Sequence, residues 1–372
     1  SLKISKKGDL SMKPKYQVIA DSLRDKIIST EYAVGGVIPT ELQLQEAYHA
    51  SRYTVRQAVS VLVSEGYLRK EKGSGTYVNE PPTSTIETSP KKTIGVITTY
   101  ISDYIFPTII RGIEKELKAD GYSLLLSSTN NDYLQEKECL DRMIEFGVDG
   151  LIVEPTKSNQ YNPNLATYVT LREHNIPIVM INATYEELST PSIHVDDVET
   201  GYLATKELID NNHQRLLLIT KIDDLQGKYR MKGFIKACEE KEIKLSSNSI
   251  ITYTTENEVS IYDKIISHLK EFTDISGIVC YNDKIAKTLI GKLSSLGYKI
   301  PDDFSIVGND DSTLSQMGEV SLTTTVHPKE KMGIDAAKWI VNTIKNGKFE
   351  KDILYPPKLI RRNSVKKLKT ED

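Results

Sequence analysis

From residue 93 onward, apolar runs of strand length alternate with stretches of helical period. The runs fall at 94–98, 123–127, 150–153, 178–181, 216–220, 250–253, 277–280 and 305–307. Between them lie amphipathic segments at 107–120, 134–146, 200–211, 229–241 and 284–296. A strand that lies parallel to its predecessor needs a long crossover, usually a helix, to return the chain to the same edge. Alternation sustained over roughly 270 residues therefore predicts parallel α/β sheets with helices on their faces. So many units fit two doubly wound lobes better than one sheet. A closed (β/α)₈ barrel shows the same alternation, and strand counting does not separate the two.

The chain ahead of this region reads differently. Residues 1–11 precede Met12, lack an amphipathic period, and are expected to be an expression-derived or disordered start. In 12–79, Tyr16, Ile19, Ala20, Leu23, Ile27 and Ile28 form one helical stripe, closed by Gly35-Gly36. Pro39-Thr40-Glu41 opens a short second helix with Thr40 as its cap. After a break at Tyr48-His49-Ala50, Ser51 caps a third, whose stripe is Val55, Ala58, Val59, Leu62 and Val63. Two extended runs, 67–70 and 76–78, flank Gly73-Ser74-Gly75 as a hairpin. Three helices and a hairpin predict an α+β winged helix-turn-helix. Residues 80–91 (EPPTSTIETSPK) have the composition of a linker, and 366–372 form a tail.

Composition bounds the class. A chain of 372 residues suggests two or three domains, and a net charge of −3 offers no chain-wide basic field. No apolar run approaches the ~20 residues of a membrane span, and the start lacks a signal-peptide core. The three cysteines, Cys139, Cys238 and Cys280, lack CxxC spacing, so they are expected as reduced thiols of a cytoplasmic protein. No metal set, cofactor loop or nucleophile–base spacing is found, so no catalytic residue, metal or cofactor is expected. Gly73-Ser74-Gly75 is not followed by a helix, and Gly227-Lys228 lacks the rest of a P-loop.

Nucleic-acid chemistry is visible through placement. Residues 12–80 hold nine cations against eight anions, whereas 52–72 hold Arg52, Arg56, Arg69, Lys70 and Lys72 against Glu65 and Glu71. Arg52 and Arg56 stand in the first turns of the third helix, with Tyr53, Thr54 and Gln57 beside them. That is where side chains reach base edges, Arg to guanine and Gln to adenine, while Ser or Thr holds phosphate. Lys70 and Lys72 flank a turn that could track the backbone.

The stretch PKYQVIADSLRDKIIS…GGVIPTELQLQEAYHASRYTVRQAVSVLVSEGYLRKEKGSGTYV resembles the GntR-type winged-helix domain almost end to end. The resemblance implies DNA contacts by Glu41, Ser51, Arg52, Tyr53, Thr54, Arg56, Gln57, Lys70, Lys72 and Gly75. Thr40 departs from the usual serine. His49 stands where glycine is usual, so a left-handed and slightly strained turn is expected there.

The larger region has a second resemblance. TIGVITTYISDYIFPTIIRGIEKELKADGYSLLLSSTNND, HVDDVETGYLATKELIDNNHQRLLLIT, YRMKGF, YNDKIAKTLIGKLSSLGYKIPDDFSIVGNDDS and LTTTVHPKEKMG together are similar to the LacI/GalR-type effector-binding core. This implies two Rossmann-like lobes, 92–182 with 328–352 and 183–327 with 353–365, and a sugar cleft between them. Arg230, Asn282 and Asp310 match the family's guanidinium, amide and carboxylate ligands, and His327 stands where glutamine is common. Tyr104 and Phe106 could supply the apolar face for a sugar ring, and Glu154 ends a strand facing the cleft.

A GntR-type head on such a core is similar to the arabinose-responsive repressors of Gram-positive bacteria. The implied protein is a homodimer on pseudo-palindromic double-stranded operator DNA, released when a small sugar, L-arabinose, binds. Alternatives are another sugar or a nucleoside as effector, an enzyme acting on carbohydrate through Asp310, Glu154 and His327, or a plain sugar-binding module. His174, His213 and His268 are expected at surfaces or helix ends, Asp196-Asp197 as a helix cap, and Asp302-Asp303 as a turn. Asn182-Ala183-Thr184 is a sequon without consequence in a cytoplasmic protein.

Overall fold

The computed structural model describes residues 14–71, 74–80, 92–348 and 350–369. The expected start at 1–11, Lys72 and most of the linker lie outside these. The chain divides into two compact units, residues 1–89 and 90–372.

In the first unit, α1 (Lys15–Ile28) buries Ile19, Ala20, Leu23 and Ile27, while Ile28, expected in the stripe, is exposed. Then α2 (Glu41–Tyr48) starts at Thr40, which with Gln43 forms a reciprocal capping box. Ser51 caps α3 (Arg52–Ser64), which buries Val55, Ala58, Val59 and Leu62 against α1. An antiparallel pair, β1 (Leu68–Glu71) and β2 (Gly75–Val78), forms the wing, with Leu68 opposite Val78. Each fully buried leucine or isoleucine here contributes about 1.5–3 kcal/mol.

The second unit continues as β3 (Thr93–Thr98), α4 (Phe106–Ala119), β4 (Ser123–Ser128), α5 (Tyr133–Phe146), β5 (Gly150–Val153), α6 (Leu165–Glu173), β6 (Ile178–Ile181) and β7 (Ser192–Val195). There follow α7 (Asp197–Asp210), β8 (Leu216–Lys221), α8 (Leu225–Glu240), β9 (Ile250–Tyr253), α9 (Ile261–Glu271), β10 (Gly277–Cys280), α10 (Asp283–Ser295), β11 (Ser305–Asp310) and β12 (Thr323–Val326). The chain then forms α11 (Lys329–Asn346), β13 (Ile353–Tyr355) and β14 (Leu359–Ile360).

Among the described residues these strands make two six-stranded sheets, ordered β13-β7-β6-β5-β3-β4 and β14-β12-β11-β10-β8-β9. Every pair is parallel except β12 with β14. Both sheets are open at their edges, so the architecture is two lobes and not a barrel.

The lobe boundaries differ from the expected ones. The first lobe runs through β7 to Val195, because β7 pairs with β6, and it reclaims β13, which pairs with β7. The chain thus passes between lobes after β7, after β12 and after β13. Of the strands that carry these pairings, SIHV and TTTV are short and rich in polar residues and ILY is only three residues long, so no apolar run of strand length announced them.

Two helix pairs set the geometry around the cleft. In the second lobe α7 and α8 touch backbone to backbone: a Cβ on Gly201 would stand 2.0 Å from the Arg230 carbonyl oxygen. In the first, a Cβ on Gly333 of α11 would stand 2.1 Å from the Ile109 carbonyl oxygen of α4. The first contact is what brings Asp197, at the start of α7, to Arg230.

Candidate functional site

In the first unit, the turn between α2 and α3 passes through His49 at φ 46°, the left-handed conformation expected of that position. Ser51 then accepts the N–H of Thr54 at 3.2 Å, and the two hydroxyls lie 2.8 Å apart. This capping starts α3 with Arg52 and Arg56 on its outer side. Glu41, from α2, receives both: Nε of Arg52 donates at 3.2 Å and Nε of Arg56 at 3.0 Å. Partial burial works against its ionisation, but the guanidiniums of Arg56 and Arg52 hold its carboxyl below the usual range. The arginines stay 68% and 57% exposed, so they are oriented without being consumed.

Tyr53 is 76% exposed on the same helix, with Gln57 half-buried beside it. Lys70 is exposed on β1, and Gly75, at φ 139°, opens β2. Lys72 lies outside the described residues. Arg69, by contrast, turns into the wing, donating to Glu71 at 3.2 Å and Asn79 at 3.0 Å.

Between the lobes of the second unit lies a cavity of about 100 Å³. Its wall includes Tyr104, Phe106, Glu154, Arg230, Asn282 and Asp310, six of the seven expected effector residues. Arg230 is the hub. Its Nε donates to Asp197 at 2.8 Å, Nη1 to the Tyr281 carbonyl at 2.6 Å and Nη2 to Asp310 at 3.2 Å. Desolvation opposes the cation, but Asp197 and Asp310 outweigh it and raise the pKa, so Arg230 is permanently charged. Asp310 sits at φ 97° at the end of β11, a conformation a non-glycine residue adopts only when its surroundings impose it.

Tyr104 does more than offer a ring. Its hydroxyl crosses from the first lobe to donate to Asp310 at 2.7 Å and accepts the N–H of Asp283 at 3.2 Å. Phe106 packs edge-on against Tyr100, 5.8 Å between ring centres. Asn282 faces the cavity while its Oδ1 caps α10 by accepting the Ile285 N–H at 3.0 Å.

Glu154 is buried, and its carboxyl is pushed up to about 7 by desolvation against three hydrogen bonds. Oε2 accepts the Thr99 N–H at 2.9 Å and its hydroxyl at 2.5 Å, and Oε1 accepts Asn182 Nδ2 at 2.8 Å. His327 is not among the described residues walling the cavity; its Nε2 lies 2.8 Å from Asn182 Oδ1. Burial lowers its pKa to about 4, so the ring is neutral.

Several cavity residues escaped sequence reasoning. Lys221 ends β8 and pairs with Asp224 at 2.6 Å, and both face the cavity with Tyr281. Asn131 joins them from the first lobe through Thr255 at 2.7 Å. Their signal was available, since polar residues directly after an apolar run sit at strand ends facing the cleft. Asn182, set aside as a sequon, ends β6 in the same way. Asp196 does cap α7, but its neighbour Asp197 pairs with Arg230. His213, expected at a surface or helix end, is buried, bonded to Ser276 and the Lys366 carbonyl. The three thiols are buried and unbridged.

Residues 15–78 match the bacterial regulatory proteins of the gntR family, and residues 205–365 match a periplasmic binding protein-like domain. The arabinose metabolism transcriptional repressor of Geobacillus stearothermophilus is 44% identical, over 95% of this chain and 98% of that relative. The protein of the same name from Halalkalibacterium halodurans is 43% identical, over 97% and 99%. Among solved structures, the transcription regulator CcpA of Lactococcus lactis superposes with a TM-score of 0.67 at 22% identity. That likeness covers 74% of this chain and 100% of the other, and it is one of fold.

Proposed function

The chain belongs to the arabinose metabolism transcriptional repressors, DNA-binding regulators with a GntR-type head, and from that membership we propose that L-arabinose in the interlobe cavity releases it from its operator. The observation that carries this reading is the cavity wall. An arginine, five carboxylates, amides and aromatic rings converge there, the set that a small polyhydroxylated ligand requires. Arg230 and Asp310 hold ring hydroxyls, Glu154 and Asn182 take another, and Phe106 with Tyr100 covers an apolar edge.

At the other end, Arg52, Arg56 and Gln57 read base edges in the major groove. Ser51, Tyr53 and Thr54 touch phosphate, and Lys70, Lys72 and Gly75 follow the backbone along the wing. Glu41 holds the two arginines in reading position. A homodimer presents two such heads to a pseudo-palindromic site. Among the described residues no helix is long and apolar enough to cross a membrane, in keeping with action in the cytoplasm where the operator is. Asp310, Glu154 and His327 are engaged with Arg230, Thr99 and Asn182, which favours binding over acid–base catalysis.

Calorimetry of the full chain with L-arabinose, other pentoses and nucleosides, with and without operator DNA, tests the reading. Heat from L-arabinose and loss of operator affinity are expected. Heat from another compound alone would reassign the effector, and turnover of any sugar would restore the enzyme reading. Arg52→Ala with Arg56→Ala should weaken operator binding by about 2–6 kcal/mol; unchanged binding would remove the head assignment.

A further inference from the structure

We propose that His327 is a positioning residue for the effector site. It does not touch the ligand; it locks the Asn182 amide so that Asn182 and Glu154 present a matched donor and acceptor to one ligand hydroxyl. This rests on the reading of the cavity as the sugar site.

The argument is one of hydrogen-bond polarity along three residues. Both oxygens of Glu154 accept. Oε2 takes two donors from Thr99, and Oε1 takes the Asn182 amide nitrogen at 2.8 Å. That orientation turns Asn182 Oδ1 toward His327, whose Nε2 stands 2.8 Å away. An oxygen can only accept, so Nε2 carries the ring proton and donates. In a neutral imidazole the other nitrogen is then a bare acceptor, and Nδ1 of His327 is indeed buried without a partner among the described residues. A buried, unpartnered acceptor is costly, and natural cores rarely retain one. Here the cost accompanies a tautomer whose proton is committed to Asn182.

The alternative arrangement is well defined. With the amide turned over, its oxygen would face the Glu154 carboxylate, acceptor against acceptor. The cavity would then lose its N–H beside the carboxylate. A sugar hydroxyl that donates to Glu154 and accepts from Asn182 needs the first arrangement. Glu154 and Asn182 wall the cavity, and the His327 ring reaches it through Asn182, while its backbone N–H donates to the Asp310 carbonyl at 3.3 Å. A residue in that position governs affinity and hydroxyl stereochemistry without contact.

The test is a double-mutant cycle on the full chain, titrated with L-arabinose. His327→Leu removes the donor and should weaken binding at least tenfold. His327→Gln, whose amide N–H can serve the same acceptor, should stay within about threefold of wild type. In an Asn182→Ala background, His327→Leu should cost less than twofold, because the group it positions is gone. Equal losses in Leu and Gln variants, or losses that add to that of Asn182→Ala, would overturn the proposal while leaving the sugar site standing. No binding of L-arabinose or of any other sugar by the wild-type protein would overturn the sugar site and the proposal together. Asn182→Ala alone supplies the baseline, and operator binding without sugar reports that each variant is folded.

Discussion

Glu154 carries a carboxyl that desolvation raises to about 7, with the charge of Asp224 acting in the same direction. A raised folded pKa contributes stability that is complete below the ordinary value near 4.5 and is lost as pH rises through about 7. The loss across that window is ~3 kcal/mol at most for this group. Urea melts at pH 5 and pH 8 should therefore show a smaller drop in Glu154→Gln than in wild type. Ligand binding runs the other way. A hydroxyl donated to Glu154 favours the anion, so L-arabinose should bind several-fold tighter at pH 8 than at pH 6, and Glu154→Gln should flatten that profile. At this scale the sequence was informative about charge and silent about polarity. Arg230 and Asp310 were legible from their motifs and Asn182 from its place after an apolar run, but the pairing of Asp197 with Arg230 and of Asn182 with Glu154 and His327 was not. Their partners come from other elements, and no local pattern encodes which side chain an amide or carboxylate will meet.

The α2–α3 turn joins two devices of opposite sign. Ser51 capping stabilises α3, and its replacement by alanine should lower the stability of the DNA-binding unit by about 1 kcal/mol. His49 holds a left-handed conformation that costs an L-residue, so His49→Gly should raise stability by about 0.5–1 kcal/mol. Thermal melts followed by amide exchange within α2 and α3 distinguish the two. Elements of this kind were readable because caps and glycine stops are local chemistry: Thr40, Ser51 and Gly66 mark boundaries that the structure keeps within a residue or two. The strands β7, β12 and β13 were not, since their pairing is decided by distant neighbours. A run such as Thr323-Thr324-Thr325 has no apolar period, although the fold buries all three.

Across the second unit, the lobes are tied by polar bonds at more than one place. The N–H of Leu225 donates to the Ser158 hydroxyl at 2.8 Å, Asn159 donates to the Ile222 carbonyl at 2.9 Å, and Tyr104 reaches Asp310. Such ties raise the population of a closed form, and apparent affinity scales with that population. Asn159→Ala should weaken L-arabinose binding several-fold and enlarge the ligand-free protein in small-angle scattering. An unchanged affinity would mean that this tie is not part of closure. Two lobes were foreseeable from the strand–helix alternation; the points at which the chain passes between them were not.

Those passages govern the order in which the protein can be built during translation. The core of the first lobe contains Met332, Ala336, Trp339 and Ile340 of α11 alongside Ile94 and Val96 of β3. Its edge strand β13 is made later still. A ribosome that has delivered everything through Val326 has supplied nearly the whole second sheet, yet the first lobe still lacks the helix that covers it. Domains generally form in the order they emerge, but the lobe that begins first here gets its covering helix only after five of its neighbour's six strands have been made, and its apolar face must wait until then.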